Sequence, residues 1–259
     1  MIIKNDEQRE ALIEAGKRLG EALEHLAGMV APGVSTATLE DEAVRFVRAR
    51  GDEPAFLDYT PEGAPRPYPA GLCVSVNDEV VHGIPNESPR TLKQGDIVTL
   101  DYGLVHKGYI VDSALTVPVG KTDPVAYDLM QKTQEALENA IAAARAGNRV
   151  GDISHATEAT FVGTGFSVVR VLGGHGVGGA VHEEPFISNT GHPGTGPELV
   201  AGMVLALEPI ANEGKASVII DSDGYTYRTK DGSRSAHFEH TIIVTDGDPI
   251  VITRRPSER

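Results

Sequence analysis

Four carboxylates stand where a folded chain cannot leave them alone. Asp101 interrupts "DIVTLDYGLV", Asp112 interrupts "YIVDSALTV", Glu208 follows "MVLAL" and Glu239 precedes "HTIIVT". Each run is apolar and strand-like. A lone charge buried there costs several kcal/mol or takes up a proton. Singly, each could face solvent on an edge strand or pair with a buried Arg. For all four together that account weakens, because no Lys or Arg stands beside them. Asp101 and Asp112 flank "GLVHKGY", and a hairpin there can bring both side chains onto one face. If the four converge, each pair at ~4 Å repels by roughly 4 kcal/mol at an effective dielectric near 20. Only cations hold such a cluster together. Two divalent ions, roughly 3.5–4 Å apart, would balance four carboxylates and one neutral imidazole in a two-metal hydrolytic site. Oxygen-rich ligation with one His suits Mn, Fe, Co or Zn, and affinity alone does not choose among them.

The remaining pattern alternates helices with short strands. Asn5 or Asp6 can cap a helix with Leu12, Gly16, Leu19, Leu23 and Leu26 on one face. A second helix follows "APGVST", with Leu39, Ala43, Phe46 and Val47 periodic, and ends at Gly51. Residues 54–71, "PAFLDYTPEGAPRPYPAG", form a Pro-rich loop of unusual length, suited to function or to a surface insertion. From Leu72, "LCVSV", "DIVTLDYGLV" and "YIVDSALTV" read as strands and hairpins. The run "TDPVAYDLMQKTQEALENAIAAARAG" predicts a helix capped by Asp123, with Pro124 in its first turn and Gly147 at its end. "VGDISHATEATFV" predicts another, and strands return at "FSVVRVL", "MVLALEPI", "ASVII" and "HTIIVT". Each half thus gives helix, helix, then hairpin strands, with no linker between. The reading is one α+β domain over residues 1–259 with a duplicated element order. The closing "TRRPSER" is expected to fray.

Composition excludes several function classes. A net charge of −14 leaves no basic surplus to neutralise phosphates, so specific nucleic-acid binding is not expected. The start turns polar after three residues, unlike a signal peptide, and no apolar run approaches a membrane span. The one cysteine, Cys73, excludes an internal disulfide and fits a reducing cytoplasm.

"GGHGVGGAVHEEP" carries His175 and His182 in a run too glycine-rich for a helix. Within it "GHGVGG" matches a dinucleotide fingerprint, which requires a helix to begin there. Pro185 and the Gly/Pro cluster after it leave no amphipathic helix, so small residues serve close backbone approach instead. His82 in "HGIP" follows a strand and precedes a rigid turn, a common place for a catalytic group.

In order and spacing, "VNDEVVHGIP", "DIVTLDYG", "GYIVDSA", "GGHGVGGAVHEEP", "ALEPI" and "FEHTIIV" resemble the type I methionine aminopeptidases, in their short bacterial form, over almost the whole chain. The resemblance implies a pita-bread fold, two pseudo-symmetric halves around a curved antiparallel sheet. It implies that Asp101, Asp112, His175, Glu208 and Glu239 ligate two divalent metals, Asp101 through both oxygens, with Asp112 and Glu239 bridging. Glu208 would also accept a proton from the attacking water. His182 would hydrogen-bond the scissile carbonyl, and His82 would assist the leaving nitrogen. The activity implied is removal of the initiator methionine when the second residue is small, with the substrate's free amino terminus on a metal. The partner implied is a peptide or nascent-chain N-terminus, with transient ribosome contact compatible, no membrane, and a monomeric enzyme in the cytoplasm.

The same resemblance lines a methionine pocket with Tyr68, Cys73, His82, Val181 and Tyr225, with Phe56 and Tyr59 nearby, although Cys73 and Tyr225 equally suit plain core packing. Val181 stands where Phe is frequent, Tyr225 where Trp is frequent, and His237 where Gln is common; the Pro-rich loop is longer than usual. On a strand His237 and Glu239 share a face while His240 points away, so His237 is expected to support the ligands and His240 to be structural. Bulky Ile2 implies that Met1 is retained. Three alternatives remain: a proline-specific relative of the same fold, a non-catalytic peptide-binding module, and the nucleotide-binding reading set aside above.

Overall fold

Asn5 opens the first helix, its side chain accepting the Gln8 N–H at 2.9 Å. The computed structural model describes residues 1–258. In chain order these form α1 (Asp6–Met29), α2 (Thr36–Arg48), β1 (Glu53–Pro54), β2 (Leu72–Val76), β3 (Glu79–Val81), β4 (Ile97–His106), β5 (Tyr109–Pro118), α3 (Pro124–Ala143) and α4 (Val150–Thr160). The second half continues with β6 (Ser167–Val168), β7 (Gly173–Gly176), β8 (Glu183–Ser188), β9 (Val204–Leu207), β10 (Ile210–Asn212), β11 (Val218–Ile220), β12 (Tyr227–Thr229), β13 (Ser235–His237), β14 (Glu239–Ile243), β15 (Ile250–Val251) and a short 3₁₀ turn, Pro256–Glu258.

The predicted apolar stripe of α1 is buried, and the helix packs across β4 and β5. The main hydrophobic cluster draws Leu19 and Leu23 from α1, Leu39 from α2, Leu100 from β4, Leu137 from α3, Ile153 from α4 and Leu205 from β9. α3 ends at Ala143, four residues before Gly147. Asn148 donates to the Ala143 carbonyl at 2.8 Å and stops the helix there, while Gly147, at φ +89°, belongs to the following turn.

All pairings in the main sheet are antiparallel, in the order β1-β4-β5-β14-β9-β7-β8, with β2 on β4 and β15 on β14. Its central hairpin, β4–β5, turns through Lys107 and Gly108, both at positive φ (49° and 80°), the requirement of a tight two-residue turn. That register sets Asp101 opposite Ala114 and Asp112 opposite Gly103, so the two aspartates are diagonal neighbours on one face.

One expected strand is in fact broken at its carboxylate. "MVLALEPI" divides into β9 in the main sheet and β10 in a three-stranded sheet β13-β10-β6, with Glu208-Pro209 at the joint. The partner run divides in step into β13 and β14 at Phe238, whose N–H donates to the Pro209 carbonyl at 3.3 Å. Pro209 has no N–H for the ladder, so the paired strands switch sheets together there. Glu208 and Glu239 sit at the crossing. "FSVVRVL" is strand only at Ser167–Val168.

Up to Glu258 the closing segment is packed down rather than frayed, and Arg259 of the expected frayed tail lies outside the described residues. A Cβ on Gly16 would lie 2.4 Å from the Ile252 carbonyl oxygen and one on Gly20 2.7 Å from that of Arg254, so α1 rests directly on this backbone. Thr253 and Arg255 are buried, Arg254 pairs with Glu138 at 2.5 Å, and the Ser257 N–H donates to Glu24 at 2.8 Å. The fraying rule fails because tertiary packing holds the end down.

Candidate active site

The sheet crossing brings the four carboxylates into one cavity of about 310 Å³. Its floor carries Asp101 from β4, Asp112 from β5, His175 from β7, Glu208 from the β9–β10 joint, and His237 and Glu239 from the ends of β13 and β14. Asp112, His175 and Glu239 each bring a donor atom within 4.8 Å of the others. His175 Nε2 lies 3.6 Å from Glu208 Oε1, and His237 Nε2 lies 3.7 Å from both Glu208 Oε2 and Glu239 Oε2. His175 Nδ1 is 2.9 Å from the Gly176 carbonyl, which only accepts, so Nδ1 donates and Nε2 turns its lone pair to the cluster.

The electrostatics are those of a site built for cations. Burial first, then the charge of Asp112, raises the Asp101 carboxyl well above its usual range. Burial raises Asp112 to about 7. Glu208 and Glu239 are likewise raised, by burial and then by their carboxylate neighbours. Asp101 Oδ1, Asp112 Oδ1 and Glu239 Oε1 are buried with no hydrogen-bond partner. No Lys or Arg lines the cavity among the described residues. Buried, unpartnered carboxylate oxygens beside an imidazole lone pair fit divalent metal ions.

Burial favours the neutral form of the site's histidines. Burial lowers His175 to about 3, with His182 adding to the effect, and lowers His82 to about 4 and His237 to about 3. His82 sits at φ +58°, a conformation that costs a β-carbon residue roughly 1–3 kcal/mol and concentrates at functional sites. Its carbonyl accepts from Thr226 Oγ1 at 3.3 Å. His182 packs edge-on against His175, ring centroids 4.5 Å apart, and its Nδ1 lies 3.0 Å from the Tyr59 hydroxyl. The Glu183 carboxylate holds the loop before it, accepting the N–H groups of Gly179 and Ala180 at 2.6 and 2.8 Å and pairing with the Met1 amino group at 2.6 Å.

The glycines of the same run serve close strand approach, as expected. A Cβ on Gly174 would lie 2.3 Å from the Ala206 carbonyl oxygen, and one on Gly176 2.3 Å from that of Glu184. Strand β8 follows, with no helix, so the nucleotide fingerprint has no structural counterpart.

One wall of the cavity is apolar. Phe56, Tyr68, Cys73, Val181 and Tyr225 pack together with Ile84, and the first three and Tyr225 line the cavity with Tyr59 and His82. Val181 is buried in that same cluster, packed with the lining residues. The Pro-rich loop is part of the site: Pro61 to Pro65 line the mouth, Tyr225 donates its hydroxyl to the Arg66 carbonyl, and Arg66 pairs with Glu87 through both nitrogens at 2.5 and 2.6 Å. Ile220 and Tyr227 also line the cavity, and nothing in their sequence neighbourhood signals it. His237 faces the carboxylates, while His240 turns away to Thr253 at 2.9 Å, as alternation along the strand predicts.

A curved antiparallel sheet whose crossing strands gather buried carboxylates defines a metal-dependent hydrolase of the pita-bread class. The chain belongs to metallopeptidase family M24, which matches residues 10–246. It is 45% identical over 246 residues to a methionine aminopeptidase of Aquifex aeolicus, covering 94% of this chain and 95% of that one. A crystal structure of methionine aminopeptidase from Thermotoga maritima superposes with a TM-score of 0.93 at 41% identity, over 98% of this chain and 100% of that one. An Xaa-Pro dipeptidase from Bacillus anthracis superposes with a TM-score of 0.75 at 25% identity, over 98% of this chain but 62% of that one. No helix among the described residues is long and apolar enough to cross a membrane.

Proposed function

We propose that this chain hydrolyses the first peptide bond of proteins and peptides that begin with methionine and carry a small second residue. The observation that supports it most is that one cavity joins an apolar wall to a carboxylate floor. A thioether side chain meets Phe56, Tyr68, Cys73 and Tyr225, while the adjoining amino group and peptide bond lie toward the carboxylates. The proline-peptidase reading is less favoured, because that likeness is weaker and spans only part of the longer chain.

Asp101, Asp112, His175, Glu208 and Glu239 would hold two divalent ions of the Mn, Fe, Co or Zn class. Such ions supply Lewis acidity and a water acidified enough to attack at neutral pH. Glu208, on the floor of the same cavity, would accept the proton of the attacking water. His182 donates a hydrogen bond to the scissile carbonyl as negative charge grows on it. His82, held in its strained conformation, supports departure of the amine. On this reading the substrate is a nascent-chain N-terminus in the cytoplasm and the enzyme is a monomer, compatible with transient ribosome contact.

The deciding experiment is a peptide-release assay. With Co or Mn present, Met-Ala-Ser should lose its methionine and a chelator should stop the reaction. Met-Leu-Ser should react about 10²-fold more slowly, the size of a steric discrimination between a small and a large second side chain. Absence of cleavage with every divalent metal, or equal rates for the two peptides, would contradict the proposal.

A further inference from the structure

We propose that Tyr59 fixes which ring nitrogen of His182 carries the proton, making it a positioning residue for the hydrolytic step. The inference rests on the reading of His182 as donor to the scissile carbonyl. A carbonyl or oxyanion offers only lone pairs, so the nitrogen that meets it must bear hydrogen. A neutral imidazole has one ring proton to place. Nδ1 lies 3.0 Å from the Tyr59 hydroxyl, so Nε2 is the nitrogen left for substrate. When the phenol donates to Nδ1, the proton is held on Nε2 and the ring is poised to donate. When Nδ1–H donates to the phenol instead, Nε2 presents a lone pair and repels the carbonyl.

The surroundings favour the first arrangement. Burial raises the Tyr59 phenol above its ordinary value, so it keeps a proton to give. The ring of His182 is wedged against His175 at 73° and 4.5 Å, which limits its rotation. Tyr59 is itself fixed in place. Its N–H donates to the Phe56 carbonyl at 3.0 Å and its carbonyl accepts from Tyr68 at 2.8 Å. Asp58, at φ +63°, donates to the Tyr68 carbonyl at 2.9 Å and closes the same turn. The Tyr225 and Glu87 contacts to Arg66 fasten the far side of the loop. The long Pro-rich loop thereby delivers a hydroxyl to a catalytic imidazole as well as a wall to the pocket.

The test is long-range ¹H–¹⁵N correlation of the zinc-loaded enzyme with ¹⁵N-labelled histidine. The His182 signals are identified by their loss in His182→Asn. The expected wild-type pattern is a protonated Nε2 and an acceptor Nδ1. In Tyr59→Phe, which keeps the ring packing, the Nδ1–H form should appear beside it. Turnover of Met-Ala-Ser should fall about five- to tenfold with KM and zinc content unchanged, the size of one lost hydrogen bond. A wild-type His182 protonated at Nδ1, or a Tyr59→Phe spectrum identical to wild type, would overturn the assignment of Tyr59. Full activity in His182→Asn would instead overturn the role of His182 beneath it, whatever the spectra of Tyr59→Phe show.

Discussion

Glu208→Gln is expected to keep the fold and lose turnover by on the order of 10³–10⁴-fold, the largest single loss outside outright removal of metal. Glu208 stands at the joint where β9 gives way to β10. Its two oxygens lie 3.6 Å from His175 Nε2 and 3.7 Å from His237 Nε2. Glutamine matches its shape and retains one oxygen, but it has no carboxylate to take a proton from water. The fold should tolerate the change, because replacing a buried carboxylate by an amide removes like-charge repulsion from Asp101 and Asp112. The check is methionine release at saturating Co, together with metal content. Turnover within tenfold of wild type would show that the proton goes elsewhere.

The second large effect separates the histidines. His82→Ala and His182→Ala should each bind as much metal as wild type while turnover drops roughly 10²–10³-fold. His175→Ala should lose metal as well as turnover. The geometry divides them in this way. His175 turns its Nε2 lone pair into the carboxylate cluster, whereas His182 packs on the His175 ring and bonds Tyr59, and His82 stands at the apolar wall. Metal analysis of the three purified variants checks it. Loss of metal from His82→Ala or His182→Ala would contradict the division.

Much of this site was legible in the sequence because charge embedded in apolar strands is conspicuous. Asp101, Asp112, Glu208 and Glu239 each break a run that otherwise reads as core, and the structure gathers all four in one cavity. What the local pattern could not show is how they meet. Period-two alternation describes straight strands, and these two bend between sheets at Pro209 and Phe238. The proline itself is a local signal for that break, set among apolar residues on both sides. The closing segment looked loose for a related reason. Its anchors, Gly16, Gly20, Glu24 and Glu138, lie more than a hundred residues away in the chain. Nor can spacing reveal the bond between Tyr59 and His182, which are 123 residues apart.

The central claim is that two divalent ions are held by Asp101, Asp112, His175, Glu208 and Glu239. The most direct test is an anomalous difference map from crystals of the Co- or Mn-loaded protein, with metal content measured on the same preparation. The account predicts two peaks within this cavity, roughly 3.5–4 Å apart, and two equivalents of metal per chain. No peak at these residues under metal saturation, or ions bound only elsewhere on the chain, would contradict it.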